Sequence, residues 1–420
     1  MPTAAYYTLG CKVNQYETEQ IRREMESRGF DTVSFASPAD VYVVNTCTVT
    51  AIADGKSRHE LRRAVRRNPD ALIIATGCYA DLDPHALAEI EGVDLVLPNS
   101  EKEHLAHQAA VRFPELNGHS RPNPIPRIRT RAILKVQDGC DQFCAYCAVP
   151  FARPVKRSRP LDEVLSEAEA LAAFGYKEIV LTGIRLGAYE GANGESVAEL
   201  TRRVCEIDGL ARIRLSSIEL WEITDELIAA MAGSPKVCPH LHVPLQSGDD
   251  GVLAAMGRPY DTRTYAEVIS RARELIPDLA VTTDVMVGFP GESDEAFERS
   301  LRFVEEMRFS RLHVFRYSPR PRARASGFRG QVSPASKEER SDMMIELGRR
   351  LAQDFAEQRV GRTVRVLVER TSGDSRRRTG YTHNYIEVEF DGSTQPGGIV
   401  DVRAAEAREG KLIGELSVDS

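Results

Sequence analysis

Short apolar runs alternate with amphipathic stretches along the first hundred residues. Residues 4–8 (AAYYT), 40–45 (DVYVVN), 71–76 (ALIIAT) and 93–97 (VDLVL) read as strands. Helices fall between them: one from about Glu17 with Gly29 as its C-terminal cap, a basic one at 54–67 stopped by Pro69, and one from Pro84. This alternation predicts a parallel sheet and makes residues 1–115 one α/β domain. Residues 114–130 carry four prolines and no periodicity, so 116–130 read as a linker. A second alternation has apolar runs at 132–136, 178–182, 212–217, 240–245, 280–287 and 311–317. One of its helices, 161–174, has Pro160 before it and Gly175 after it. Six strand–helix repeats over residues 131–357 fit an open or partial (β/α) barrel better than a flat two-layer sheet. A long helix closes this domain near Ser336, where Ser336 and Glu339 have capping-box spacing. From 358 to 420 the runs TVRVLVER, YTHNYIEVEF, GIVDVRA and KLIGEL predict a small β-barrel of the oligonucleotide-binding sort.

A chain of 420 residues has room for two or three such domains, and 42% hydrophobic with 28% charged residues is a globular composition. No run of about 18 apolar residues suggests a membrane helix, and the start lacks a basic segment followed by an apolar one. A cytoplasmic protein without a membrane partner is the expectation. The net charge of −7 conceals an asymmetry. Residues 311–378 hold 17 Lys+Arg against 8 Asp+Glu, a local +9, so the remainder sums to −16. The run 56–67 (KSRHELRRAVRR) adds six basic residues against one acidic, usually the mark of a solvated helix face. Arg376, Arg377 and Arg378 fall in a β-loop, where phosphate contact is more plausible. Tyr381, His383 and Tyr385 lie close by, either stacking on bases or forming one exposed strand face.

The eight cysteines divide by position. Cys140, Cys144 and Cys147, in GCDQFCAYC, follow the first strand of the second domain with C-x₃-C-x₂-C spacing. A zinc site usually takes four ligands, so three clustered thiols suit a four-iron cluster with one iron free of protein ligands. Cys11, Cys47 and Cys78 each follow a predicted strand of the first domain. Carboxyl ends of parallel strands line one sheet edge, so these three can converge on a second open cluster. Three unrelated core thiols are the alternative. Cys205 and Cys238 fit neither pattern and read as ordinary core or loop residues.

The C-x₃-C-x₂-C loop resembles that of the radical S-adenosylmethionine (SAM) superfamily. Two open clusters followed by a small β domain resemble the methylthiotransferases over roughly residues 3–418. The match is strongest for those acting on threonylcarbamoyladenosine in tRNA. The stretches that carry it are TLGCKVNQYET (8–18), NTCTVT (45–50), GCDQFCAYC (139–147), LTGIRLGAY (181–189), RLSSIE (214–219), HLHVPLQSG (240–248) and TTDVMVGFPGE (282–292). Two departures stand out. Relatives generally have Pro-x-x-Arg-Gly after the third cluster cysteine, whereas Arg153 here precedes Pro154, and PRPRARA (319–325) replaces a frequent Gly-Thr pair.

The resemblance implies a multidomain α/β fold: an N-terminal parallel α/β domain, a partial (β/α)6 radical SAM barrel and a C-terminal TRAM barrel. It implies two 4Fe-4S clusters and SAM as cofactors, a tRNA substrate, and an electron donor and sulfur source of unidentified nature. The Cys140/Cys144/Cys147 cluster would reduce SAM to a 5′-deoxyadenosyl radical. The Cys11/Cys47/Cys78 cluster would deliver CH₃S to C2 of N6-threonylcarbamoyladenosine at position 37, with a second SAM as methyl donor. No positioned base can activate that C–H bond, which is why a radical is needed. Tyr146 would lie near the adenine of SAM, Thr182 and Gly183 near its amino group, and Ser217 and Glu219 are further candidate contacts, with solvated loop residues as the alternative. Methylthiolation of isopentenyladenosine or of a ribosomal-protein aspartate, or a catalytically inactive iron–sulfur RNA-binding protein, are the other readings.

Overall fold

The computed structural model describes residues 1–116, 129–371 and 377–417. They form two compact units: Met1–Pro126 with Asp138–Arg157 and Ser318–Ser326, and Arg127–Gln137 with Ser158–Tyr317 and Gly327–Ser420. The cysteine-rich loop after the first barrel strand therefore packs with the N-terminal domain.

In the first unit, β1 (Thr3–Thr8), β2 (Asp31–Thr32), β3 (Val41–Thr46), β4 (Leu72–Gly77) and β5 (Leu95–Leu97) form a parallel sheet in the order β2-β1-β3-β4-β5. All residues of β3 and β4 are buried, as expected of central strands covered on both faces. One layer gathers Ile21, Met25, Phe30, Val43 and Ile74, the other Tyr42, Val44, Leu61, Ile73 and Leu87. The first helix spans Lys12–Ser27 rather than starting near Glu17. Gly10, at φ +92°, turns the chain sharply after β1, and extended Cys11 leads straight into the helix.

The second unit contains β6 (Ala132–Asp138, which reaches the first unit only at Asp138), β7 (Arg157–Ser158, bordering it), β8 (Glu178–Gly183), β9 (Arg212–Leu215), β10 (His240–His242), β11 (Ala280–Val287) and β12 (Arg311–Arg316). Two sheets, β7-β6-β8-β9 and β10-β11-β12, meet through parallel bridges Ile213↔Val237 and Ser217↔His242. The strand pairs β6–β8, β8–β9, β10–β11 and β11–β12 are parallel, giving the partial (β/α)6 barrel. The long helix Pro334–Glu357 packs on β12, with Gly348 against Leu312. Its cap is Ser333, whose hydroxyl accepts from the Ser336 N–H at 3.0 Å, so Ser336 lies inside the helix rather than at its start. Pro334 in the first turn, where no backbone donor is needed, explains the shift.

β13 (Thr363–Thr371), β14 (Arg377–Thr382), β15 (Glu387–Asp391), β16 (Ile399–Arg408) and β17 (Lys411–Leu416) close into a barrel in the order β13-β14-β15-β17-β16. Val366, Val368, Val388, Phe390, Val402 and Leu412 fill it. Beneath it, buried Glu178 pairs with Arg214 at 2.7 Å and Arg212 at 3.6 Å. Arg212 donates to the carbonyls of Tyr381 and Arg365, and Arg214 to that of His383. Burial alone would raise the Glu178 carboxyl, but Arg214, Arg131 and Arg212 hold it below its ordinary value.

The tyrosines expected on an exposed strand face are engaged inside this unit. Tyr381 stacks on Tyr385 with centroids 4.9 Å apart, and Arg131 and Arg214 lie over the Tyr385 ring. Period-2 spacing is silent about a face that arginines from the barrel strands cover. No helix among the described residues is long and apolar enough to cross a membrane.

His383 is held neutral. Burial, then Arg212 and Arg214, lower it from its ordinary value to about 4. A histidine whose folded value lies below its unfolded one near 6.5 costs stability as pH falls. Thermal melts should therefore show stability intact above about pH 6.5 and declining toward pH 4. His383→Gln should flatten that decline; an unchanged slope would remove His383 as its cause.

Candidate active site

Three adjacent strands place the first triad. Cys11 follows β1, Cys47 follows β3, and Cys78 opens the helix Cys78–Leu82 after β4. Their backbones are held close: a Cβ at Gly10 would stand 2.8 Å from the Cys47 sulfur, and one at Gly77 (φ +99°) 2.4 Å from the Thr46 carbonyl. Asn14 donates to the carbonyls of Leu9 and Thr46 at 2.9 and 3.0 Å, tying two strand ends together. Asn45 donates back to the Asn14 carbonyl. Burial pushes the Cys47 thiol up to about 11, with Cys78 and Cys11 adding to the rise, so metal binding must displace its proton.

Cys140, Cys144 and Cys147 lie in the loop Asp138–Arg157 of the same unit. Gly139, at φ +79°, permits the turn; a Cβ there would lie 2.1 Å from the Val155 carbonyl oxygen. The returning strand of the loop thus passes directly beside the first cysteine, and the Cys140 N–H donates to the Arg153 carbonyl at 3.1 Å. The Ala325 N–H donates to the Ala145 carbonyl at 2.8 Å, so the departing segment 319–325 braces the loop. Arg320 in that segment is buried on Thr48 and Asp54 beside Cys47. Tyr146 belongs to this loop and is half-buried.

The sequence did not single out the residue that joins the triads. Arg153 is 4% exposed. Its Nε donates to the Cys78 sulfur at 3.4 Å, and its other nitrogens reach Glu17 at 2.7 and 2.8 Å, Asp138 at 2.8 Å, and the side-chain oxygens of Asn14 and Asn99 at 3.1 Å. Lys102 pairs with the same Glu17. Burial would lower the guanidinium, but Cys78 and Glu17 hold it well above its ordinary value. Cys11, Asn14 and Glu17 recur every three residues, a helical spacing that brings all three toward one face once the helix starts at Lys12. That spacing was the available signal.

The donor sets fit clusters rather than single ions. Thiolates on one zinc ion, at about 2.3 Å from it, stand roughly 4 Å apart. Among the described residues, a separate group of possible ligands within 4.8 Å of one another comprises His242, Asp284 and His313. Thiolates on different irons of one cluster stand further apart, and three of them leave an iron open.

The other expected residues lie in the second unit. Thr182 is 2% exposed at the end of β8. Gly183 admits Gln137, whose side chain a Cβ would meet at 2.9 Å and whose Oε1 accepts from the Arg185 N–H. Ser217 is exposed and bridges to His242. Glu219 is tied to Arg258 and to a capping box with Glu222, so its carboxylate is largely engaged within the protein. Arg377 begins β14 and stands 3.6 Å from Glu389; Arg378 donates to the Thr394 carbonyl. Arg376 lies outside the described residues.

Comparison with known proteins accounts for each part. The radical SAM superfamily matches residues 134–304, the uncharacterized protein family UPF0004 residues 3–98, and the TRAM domain residues 357–417. The chain is 41% identical to the threonylcarbamoyladenosine tRNA methylthiotransferase MtaB of Bacillus subtilis, over 97% of this chain and 94% of that one. The chain belongs to the radical SAM tRNA methylthiotransferases. Members of that family use 4Fe-4S clusters and SAM, two clusters to a chain, and act on tRNA. Within it, the MtaB protein of Thermotoga maritima is 38% identical, covering 94% of this chain and 92% of its own. A tRNA-2-methylthio-N(6)-dimethylallyladenosine synthase from Saccharopolyspora erythraea is 34% identical, covering 98% and 89%. Among solved structures, the radical SAM methyltransferase TsrM of Kitasatospora setae shares the fold, with a TM-score of 0.56, 16% identity and 76% of both chains covered.

The Arg153 network is testable by a double-mutant cycle. Arg153→Gln removes one partner of a buried pair and should destabilise the protein by about 3–5 kcal/mol. Glu17→Gln in that background should cost markedly less than in the wild type, as residues sharing a network are not additive. Strict additivity in denaturant titrations would show that the two do not act together.

Proposed function

We propose that this methylthiotransferase acts on C2 of N6-threonylcarbamoyladenosine at position 37 of tRNA, in the cytoplasm, using one SAM for a radical and a second as methyl donor. The observation that carries the reading is two open cysteine triads within one compact unit, joined by Arg153. The names of its relatives, four of them MtaB proteins at 36–41% identity, support the choice of base.

Cys140, Cys144 and Cys147 would hold the SAM-binding cluster, and Cys11, Cys47 and Cys78 the sulfur-carrying one. When bound, these groups supply what no side chain here can: a radical able to break an unactivated C–H bond, and a methylated sulfur to replace the hydrogen. The chain's own work is placement and charge. Arg153 sets its cation against the Cys78 sulfur, and its carbonyl fixes the backbone at Cys140. Tyr146 offers a face to the SAM adenine, Thr182 and Gly183 a strand end to its amino group, and Ser217 and Glu219 further polar atoms. Arg376, Arg377 and Arg378 would meet tRNA phosphates, and their contribution should weaken as salt rises. An electron donor and a sulfur source complete the reaction.

Two measurements check this. Anaerobically reconstituted Cys47→Ala should lose half of the wild-type iron and sulfide, whereas full content would remove the N-terminal cluster. Nucleosides of tRNA from a strain lacking the gene should lose 2-methylthio-N6-threonylcarbamoyladenosine while the unmethylthiolated base accumulates. Loss of the dimethylallyl counterpart instead would reassign the base within the family, and no change in either would refute a tRNA substrate.

A further inference from the structure

Three neighbouring strands of the barrel bring two histidines and an aspartate together on one face. In the parallel register His242 of β10 stands opposite Thr282 of β11, and Asp284 of β11 opposite His313 of β12. Thr282 and Asp284 are two residues apart in β11 and so share a face. The opposite face of β12 is covered: Leu312 packs against Gly348 of the long helix. The trio therefore faces away from that helix, toward the concave side of the sheet, and Ser217 bridges to His242 beside it.

The atoms suit one ion. His242 Nε2 lies 3.3 Å from Asp284 Oδ1, and His313 Nδ1 lies 3.2 Å from the same oxygen. All three ligand atoms fall within 4.8 Å of one another. Ligands about 2.0–2.1 Å from a tetrahedral ion are separated by roughly 3.3 Å, so the spacing needs little adjustment. His242 is also oriented as metal-bound histidines are: its far nitrogen, Nδ1, is 2.9 Å from the Thr282 hydroxyl, which fixes which nitrogen is presented. The Thr282 hydroxyl is itself 3.1 Å from His240 Nε2, so it is not free to turn away. Half-exposed His313, with its side chain 46% accessible, leaves the far side of the trio open.

We propose that His242, Asp284 and His313 form a site for one divalent transition-metal ion, separate from the six cluster cysteines. Two imidazoles and a carboxylate make a borderline set that selects zinc or iron(II) over calcium or magnesium. Three protein ligands leave at least one coordination position for water or for an oxygen of a bound substrate. The binding step is simple exchange. Neutral imidazole lone pairs and the ionised carboxylate replace water on the ion, with no change of oxidation state.

Cobalt(II) serves as the probe, added to anaerobically reconstituted protein with both clusters oxidised and hence diamagnetic. Equilibrium dialysis should give one cobalt per chain beyond the cluster iron, with a high-spin signal in low-temperature electron paramagnetic resonance (EPR) showing nitrogen and oxygen ligation. His313→Ala, at a half-exposed position, should weaken binding at least tenfold. Thr282→Val should weaken it about 10–100-fold through loss of the orienting contact. Cluster content and melting temperature should stay at the wild-type level in His313→Ala. Absence of the extra cobalt, sulfur ligation of it, or equal binding by His313→Ala would overturn the site and leave a hydrogen-bonded trio around Asp284. None of these outcomes bears on the tRNA base, which the nucleoside measurement decides separately.

Discussion

A single buried guanidinium holds the cysteine chemistry together. Arg153 closes the loop that carries Cys140, Cys144 and Cys147 through its own carbonyl, and reaches the Cys78 sulfur with its side chain. A charge at 4% exposure is sustainable only because Glu17, Asp138, Asn14 and Asn99 surround it with acceptors. Those acceptors come from the first helix, the end of β6 and the turn after β5. The network is thus also what makes the loop part of the N-terminal unit. Pro154 in place of the family's usual glycine follows directly on this residue. The fixed φ of proline fits a segment that must pass close to Gly139.

The second unit depends on a similar device at its other end. Glu178, Arg212 and Arg214 are buried together, and the two arginines satisfy the carbonyls of β13, β14 and the turn after them. The C-terminal barrel is joined to the radical SAM barrel by buried, hydrogen-bonded polar groups. This arrangement gives a fixed relation between these two parts of the unit where apolar contact alone would allow sliding.

Much of this was legible in the chain. Parallel strands announce themselves as apolar runs separated by helices, and thiols after three such runs must approach one sheet edge, whatever the loops do. The C-x₃-C-x₂-C loop is local and needed no fold at all. What escaped was set by long-range register. Asn14 and Arg153 are 139 residues apart, and His242, Asp284 and His313 meet only because three strands align as they do. The start of the first helix escaped because Cys11 offers no capping hydrogen bond to mark it. The exposed strand face offered as one reading of Tyr381 and Tyr385 failed because period-2 spacing does not reveal that Arg131 and Arg214 lie over the Tyr385 ring.

Both triads would hold clusters, with one arginine touching a residue of each. EPR of the fully reduced, reconstituted protein tests this most directly. Two paramagnetic clusters held in one compact unit, with Arg153 touching a residue of each triad, should interact, so the wild-type spectrum should be broadened by spin coupling. It should collapse to one sharp, uncoupled signal in Cys78→Ala. Two independent, uncoupled signals in the wild-type protein would show that the triads do not hold neighbouring clusters.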